Sequence, residues 1–302
     1  MNAMAVDGIK GAVVLDGKTR AAEICVELKK KVVTLAKIPV LQAVVVGDDL
    51  ASAVFVKEKE RAAVSVGIEF KVRRYSYSIS STELSRRLHE AFHETRTDGI
   101  IIQLPLPGTL DRNRHAILRS IPEDKDVDCL SEQWLGRIQS GRLAMQLKKG
   151  EAYLLPPVAG ALQELLQMAR ISPKAKRATV VGWGDLVGKP CASWLLQQGA
   201  TVTVVQETEN NMQECMATAD IVVSGTGQPG LIRGGMIKPG AVVIDAGFAL
   251  RAGKNIGDID IDSVRHVASY FSPVPGGVGP LTVAQVLKNV VSLTEARFGL
   301  SQ

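Results

Sequence analysis

The chain has 302 residues, 46% of them hydrophobic, 22% charged and 4% aromatic, with a formal net charge of +5, which leaves room for two globular domains and argues against disorder. No run reaches the roughly 18 apolar residues that a membrane span needs, and the opening MNAMAVDGIKG lacks both a charged and an apolar leader region, so a cytoplasmic protein without a membrane partner is expected. The basic residues are dispersed and few aromatics accompany them, which speaks against nucleic acid and suits a small anionic ligand. Cys25, Cys129, Cys191 and Cys215 make no CxxC pair, and His89, His93, His115 and His266 make no ligand set, so neither a disulfide framework nor a metal site is expected.

In chain order, Val40–Val46 reads as a buried β-branched strand closing on Gly47, after which Asp48 or Asp49 can cap a helix over Ala51–Val66. Val54, Phe55, Ala62, Ala63 and Val66 recur near helical spacing there, and Ser52, Phe55 and Lys59 share a stripe close to the strand's carboxyl end. Ligands bind at that end of open α/β sheets, and partial desolvation there suits Lys59 to proton transfer; a solvated helix lysine is the plainer alternative. Strands are expected at Glu69–Tyr75 and Gly99–Leu104, with a helix from Ser81 to Thr95 carrying His89 and His93 on a polar face. Ser140–Leu155, with Gly141, Gly150, Lys148 and Lys149, has the composition of a hinge or exposed connection. Ala178–Val181, Ala200–Val205, Ile221–Ser224 and Ala241–Asp245 then read as strands, and Leu281–Phe298 as a last helix.

This alternation of strand and helix predicts an α/β protein of two three-layer α/β domains, the second a Rossmann-like, doubly wound parallel sheet, with a cleft between them. The expected division assigns residues 1–145 and 281–302 to a catalytic domain and 146–280 to a dinucleotide-binding domain. Gly182, Gly184 and Gly188 lie between the strand ATVVG and a helix starting near Lys189, in the order of a unit that seats a pyrophosphate on a helix N-terminus. Glu207, after the next strand, stands where an acidic residue accepts bonds from a ribose diol and repels a 2′-phosphate, so NAD is favoured over NADP. Trp183 places a large indole in the loop, and a Rossmann-like domain with an altered or empty pocket is the competing reading.

The strings LDGKTRAAEI from Leu15, VGDDLAS from Val46, QLPLP from Gln103, DKDVD from Asp124, VGKP from Val187, IKPGAVVIDAG from Ile237 and PVPGGVGPLT from Pro273 run over nearly the whole chain. Together they resemble the bifunctional methylenetetrahydrofolate dehydrogenase and methenyltetrahydrofolate cyclohydrolase family. The resemblance implies a folate-binding domain, an NAD(P)-binding Rossmann domain, a tetrahydrofolate derivative as substrate and a homodimer. The family's tyrosine, lysine, glutamine and aspartate correspond here to Phe55, Lys59, Gln103 and Asp128. By that resemblance Lys59 handles protons and polarises the one-carbon centre, Gln103 orients Lys59, and Asp128 accepts bonds from the amino-pyrimidine edge of the pterin. Substrate contacts are likewise implied for Ser52, Phe55, Pro275, Gly276, Gly277 and Thr282, and cofactor contacts for Gly182, Trp183, Gly184, Gly188, Gln206 and Glu207.

Departures from the family pattern fall at ligand-facing positions. Phe55 lacks the tyrosine hydroxyl, which should weaken hydrolysis most. Trp183 and Gly184 stand where the family has arginine and serine, and Gln206 and Glu207 where it has histidine and serine. The family's PCTPxG segment reads LPPVAG at Leu155–Gly160, and Cys129 and Leu130 follow DVD in place of glycine and an aromatic. Two function classes therefore stay open at this point: a dehydrogenase for 5,10-methylenetetrahydrofolate with or without cyclohydrolase activity, and a diverged folate binder that processes the one-carbon unit without hydride transfer or is silent.

Overall fold

The computed structural model describes residues 11–92, 96–206, 208, 211–251 and 253–301. The chain forms two compact units, one made of the described residues up to Arg20 with Val158–Leu281, the other of Ala21–Pro157 with the chain from Thr282 onward.

The unit that contains Lys59 is built on a three-stranded parallel sheet of β2 (Val40–Val46), β3 (Glu69–Tyr75) and β4 (Gly99–Ile102), in the order β3-β2-β4. β2 is central and buried along its whole length, as a continuous β-branched run in a parallel sheet should be. Alternation sends Ala43 and Val45 to one face, against Val56 and Phe70. It sends Val44 and Val46 to the other, against Leu84, Leu88 and Phe92 of helix Ser81–Phe92. Between β2 and β3 runs helix Leu50–Val66, capped by Asp49, whose carboxylate accepts from Ser52 N at 2.7 Å, and closed by Gly67 in the left-handed region at φ +89. Its core face is Val56, Ala63 and Val66, whereas Val54, expected in the apolar stripe, is 56% exposed. The i, i+7, i+10 spacing from Val56 defines the buried stripe, and Val54 falls outside it.

β4 stops at Ile102, short of the expected Leu104, because Pro105 has no N–H with which to continue a ladder; His93 and the expected end of the preceding helix at Thr95 lie outside the described residues. The segment 140–155 is not an open connection. Gly141 closes helix Glu132–Ser140, and an antiparallel hairpin of β5 (Ala144–Gln146) and β6 (Glu151–Tyr153) follows. Asn289, fully buried on helix Val278–Phe298, donates to Leu155 O at 2.7 Å and to Val127 O at 2.8 Å. Glycine and lysine serve a helix cap and a hairpin turn as readily as a hinge, and the division falls after Pro157 rather than after residue 145.

The other unit, which contains the glycine loop, holds a six-stranded sheet. Its strands are β1 (Val13–Val14), β7 (Arg177–Val181), β8 (Thr201–Val205), β9 (Ile221–Ser224), β10 (Val242–Asp245) and β13 (Tyr270–Phe271). They are parallel throughout, in the order β1-β13-β10-β9-β7-β8. Between β10 and β13 lies a small hairpin, β11 (Ala249–Arg251) with β12 (Lys254–Ile256). Residues 11–20, expected with the catalytic domain, belong here because Val13 and Val14 pair with Tyr270 and Phe271. From β7 the chain steps to β8 at one edge and then returns to β9 on the other side, which makes the β7/β9 boundary the switch point of a doubly wound sheet. Among the described residues no helix is long and apolar enough to cross a membrane.

Candidate active site

Gly47, at φ +79, turns the chain out of β2, and its N–H bonds Tyr75 O at 2.9 Å, so Leu50–Val66 starts at the carboxyl end of the small sheet. One turn apart on that helix, Phe55 and Lys59 are both half-buried. Lys59 Nζ donates to Gln103 Oε1 at 3.1 Å. Gln103 sits one residue beyond β4, its N–H bonded to Val44 O at 2.9 Å and its side-chain Nε2 donating to Leu104 O at 2.7 Å. Because the amide nitrogen is committed to a carbonyl, the oxygen must be the end that meets the ammonium. A neutral acceptor thus holds Lys59 in place without cancelling its charge.

Asp128 completes this group. Burial pushes its carboxyl above the ordinary carboxylate value and the positive charge of Lys59 opposes that rise, which places the two side chains within electrostatic reach. Ser52, also expected here, is buried in the first turn of the helix, where its N–H and hydroxyl hold Asp49 below the ordinary carboxylate range. Thr282 lies on Val278–Phe298 in the same unit as Lys59.

A second acid went unnoticed in the sequence. Asp126 pairs with Ile100 in a parallel bridge, is fully buried, and accepts from Ser131 N at 2.7 Å through Oδ2. Its Oδ1 has no hydrogen-bond partner among the described residues. Burial, with Asp128 adding to it, pushes its carboxyl up to about 6. The DVD string carries no local signal for it, because Val127 and Asp128 form a turn in which Cys129 N bonds back to Asp126 O at 3.4 Å, so strand alternation does not apply. Next to this pair, Cys129 is buried with φ +56, and burial reinforced by both aspartates raises its thiol well above the ordinary value.

In the glycine-loop unit, Gly182 has φ +94 and donates to Val205 O at 2.8 Å, tying the loop's start to the end of β8. A Cβ on Gly188 would lie 2.2 Å from Gly182 O, so only glycine lets helix Gly188–Gln197 approach this closely, while nothing lies within 4 Å of a Cβ on Gly184. That leaves open backbone ahead of a helix N-terminus, which fits a pyrophosphate. Trp183 is 41% exposed and Gln206 is exposed; Glu207 lies outside the described residues. Lys189 pairs with the buried carboxylate of Asp185 four residues before it. Pro275, Gly276 and Gly277 form the turn after β13, where Gly277 N bonds Pro273 O at 2.8 Å and Lys18 N bonds Gly276 O at 2.9 Å.

The same unit holds two further buried acids, Asp245 and Asp258. Asp245 accepts from Gly247 N at 2.9 Å, Asp258 N at 3.1 Å and Ile259 N at 3.0 Å. Asp258 accepts from Ser224 Oγ at 2.7 Å and Thr226 N at 2.7 Å. Burial pushes Asp245 up to about 6 against those N–H donors. No group of three His, Cys, Asp or Glu able to hold a metal occurs among the described residues.

Comparison with known proteins bears on both units. The family described as tetrahydrofolate dehydrogenase/cyclohydrolase, catalytic domain, matches residues 15–128, and its NAD(P)-binding domain matches residues 156–298. The chain is 38% identical over 285 residues to a bifunctional protein FolD of Vesicomyosocius okutanii, covering 94% of this chain and 99% of that one. It is 39% identical over 285 residues to the FolD of Moorella thermoacetica, with coverage of 93% and 98%. Among solved structures, the FolD of Trypanosoma brucei, a methylenetetrahydrofolate dehydrogenase-cyclohydrolase complexed with NADP and an inhibitor, superposes with a TM-score of 0.85 at 34% identity, covering 94% of this chain and 98% of that one. The bifunctional FolD of Campylobacter jejuni gives 0.84 at 33% identity, with coverage of 94% and 99%. With the lysine, glutamine and aspartate group at the end of one sheet and the glycine loop at the switch point of the other, the chain belongs to the bifunctional tetrahydrofolate dehydrogenase/cyclohydrolase family.

Proposed function

We propose that the chain oxidises 5,10-methylenetetrahydrofolate with a nicotinamide dinucleotide and hydrolyses the methenyl product more weakly than its relatives do. The single observation carrying this reading is the 3.1 Å bond from Lys59 Nζ to Gln103 Oε1 beside Asp128. Asp128 accepts from the N–H edge of the pterin, a charge-assisted contact that fixes the ring, while Phe55 supplies an aromatic face for it. Lys59 carries positive charge to the one-carbon centre and holds or releases a proton at Nζ, and Gln103 keeps that nitrogen aimed without adding charge. Ser52 and Thr282, in the same unit as Lys59, contribute further substrate contacts. Hydrolysis is the weaker step because Phe55 has no hydroxyl with which to orient Lys59 or a water.

The dinucleotide, when bound, supplies the hydride acceptor. Gly182, Gly184 and Gly188 with the N-terminus of Gly188–Gln197 would hold its pyrophosphate, and Trp183 and Gln206 would flank its adenosine half. NAD is the preferred partner: Lys189, the one cation between Gly182 and Pro190, is held by Asp185, and Glu207 directly follows Gln206 in sequence, where an acid suits a free ribose diol. The protein works in the cytoplasm as a homodimer, in keeping with the family resemblance. The non-redox alternative has no observation that favours it.

The test is direct. Purified protein with 5,10-methylenetetrahydrofolate and either NAD or NADP should produce reduced cofactor, read by its absorbance, with NAD the better substrate. No reduced cofactor at saturating concentrations overturns the dehydrogenase reading, and tight folate binding in the same sample would then return the non-redox alternative to first place.

A further inference from the structure

We infer that the Trp183 indole is the stacking platform for the adenosine half of the dinucleotide and sets the preference against a 2′-phosphate, by replacing recognition of charge with recognition of an aromatic face. The inference rests on the nucleotide-binding part of the reading above and deepens it.

Of the three tryptophans, Trp134 and Trp194 are buried at 0% and 4% exposure, as large aromatics in a core should be, whereas Trp183 is 41% exposed. An indole is costly to leave in water, and its place in the fold says what covers it. It directly follows Gly182, whose N–H is tied to Val205 O at the end of β8. On the other side, the Gly182 Cβ position lies 3.3 Å from Gly225 O, just past the end of β9. Trp183 is therefore anchored where the loops after β7, β8 and β9 converge, at the switch point where a doubly wound sheet receives its dinucleotide.

The charges around it agree. A 2′-phosphate needs a cation or several donors. Between Gly182 and Pro190 the charged side chains are Asp185 and Lys189, which pair with each other, so this stretch offers no net positive charge. Gly184, with open space at its Cβ position, brings no side-chain donor. Adenine needs none of these. Stacking on an indole is strong enough to carry binding, since removing one such platform weakens affinity by roughly tenfold or more.

ADP-ribose and its 2′-phosphorylated form are the probes, titrated against the full-length protein by tryptophan fluorescence and by calorimetry. ADP-ribose should quench emission, and Trp183→Phe should abolish the quench because Trp134 and Trp194 stay buried. Trp183→Ala should bind ADP-ribose about tenfold more weakly, and Trp183→Arg should turn the preference toward the 2′-phosphorylated probe. Equal affinity of wild type and Trp183→Ala for ADP-ribose, no binding by wild type, or tighter wild-type binding of the 2′-phosphorylated probe overturns the inference. Formation of reduced NAD with an unchanged KM in Trp183→Ala sinks this inference alone, whereas Trp183-dependent binding of ADP-ribose without any reduced cofactor sinks the dehydrogenase reading and leaves this one standing.

Discussion

Lys59 Nζ and Gln103 Oε1 meet at 3.1 Å although the two residues are 44 positions apart in the chain. The contact joins a helix that leaves the central strand β2 to the residue just beyond the end of its neighbour β4, so the register of the small sheet decides where the ammonium sits. Lys59→Met should abolish turnover, by a factor of 100 or more if a proton-handling group is lost (roughly 10² to 10⁴ for such groups). The half-buried position predicts a melting temperature within a few degrees of wild type, on the order of 1 kcal/mol in stability. Activity within tenfold of wild type would remove Lys59 from the chemistry.

Gln103→Leu tests the positioning role separately. It leaves Lys59 charged but unheld and should lower kcat about 10- to 100-fold, the range for losing one hydrogen-bond partner in a desolvated site. Gln103→Glu keeps the acceptor and adds a charge, so a pH profile displaced from that of wild type is expected for it. Matching profiles would show that Gln103 only satisfies Leu104 O.

Phe55→Tyr should raise hydrolysis of methenyltetrahydrofolate while changing the oxidation rate less. Restoring one oriented hydroxyl is worth about 1 to 3 kcal/mol, or roughly 10- to 100-fold. The measurement is decay of methenyl absorbance in initial-rate assays without dinucleotide. No gain would mean that the site has been remodelled beyond this one atom.

Asp126 and Asp245, both pushed up to about 6 by burial, predict how stability varies with acidity. Below about pH 4 these carboxyls are protonated whether the chain is folded or not, whereas between about 4 and 6 the folded protein keeps protons that the unfolded chain has released. Their contribution is therefore full in acid and lost as pH rises through 6, on the order of 2 to 3 kcal/mol for each. Asp126→Asn should flatten the urea-unfolding stability curve between pH 4.5 and pH 7 (roughly, the window between the two pKa values) relative to wild type. An identical curve would mean that this carboxyl is ionised throughout.

How much of this was legible in the sequence depends on how local each feature is. The run Val40–Val46 declares a buried strand through its own composition, and Asp49 and Gly67 mark the ends of the next helix by chemistry confined to a turn. The Lys59 stripe followed from spacing alone, but its partners Gln103 and Asp128 did not, since sheet register brings them together and only the resemblance named them. Val13–Val14 is two exposed residues with no pattern to read, and pairing with β13 makes it a strand. Asp245 looks in sequence like an ordinary polar residue closing an apolar run and Asp258 like one acid of a polar loop, and their burial comes from the loops folding back over them.

Cys129 is where the chain departs from its family in a way that backbone geometry can price. Its φ of +56 lies in the left-handed region, where glycine is the residue that the family resemblance implies. A side chain in that conformation costs about 1 kcal/mol or more relative to glycine. Cysteine offsets this by burying its sulfur, being 1% exposed. Cys129→Ala keeps the strain and loses the sulfur, whereas Cys129→Gly loses both, so the glycine variant should be the more stable of the two by about 1 kcal/mol. That order is the reverse of what an ordinary helix or strand position gives. Cys129→Val should be worse than either, because β-branching adds strain at positive φ and bulk in a closed site. Urea unfolding of the three variants at pH 7 ranks them, and alanine at or above glycine would show that the turn at 129 relaxes out of the left-handed region once the sulfur is gone.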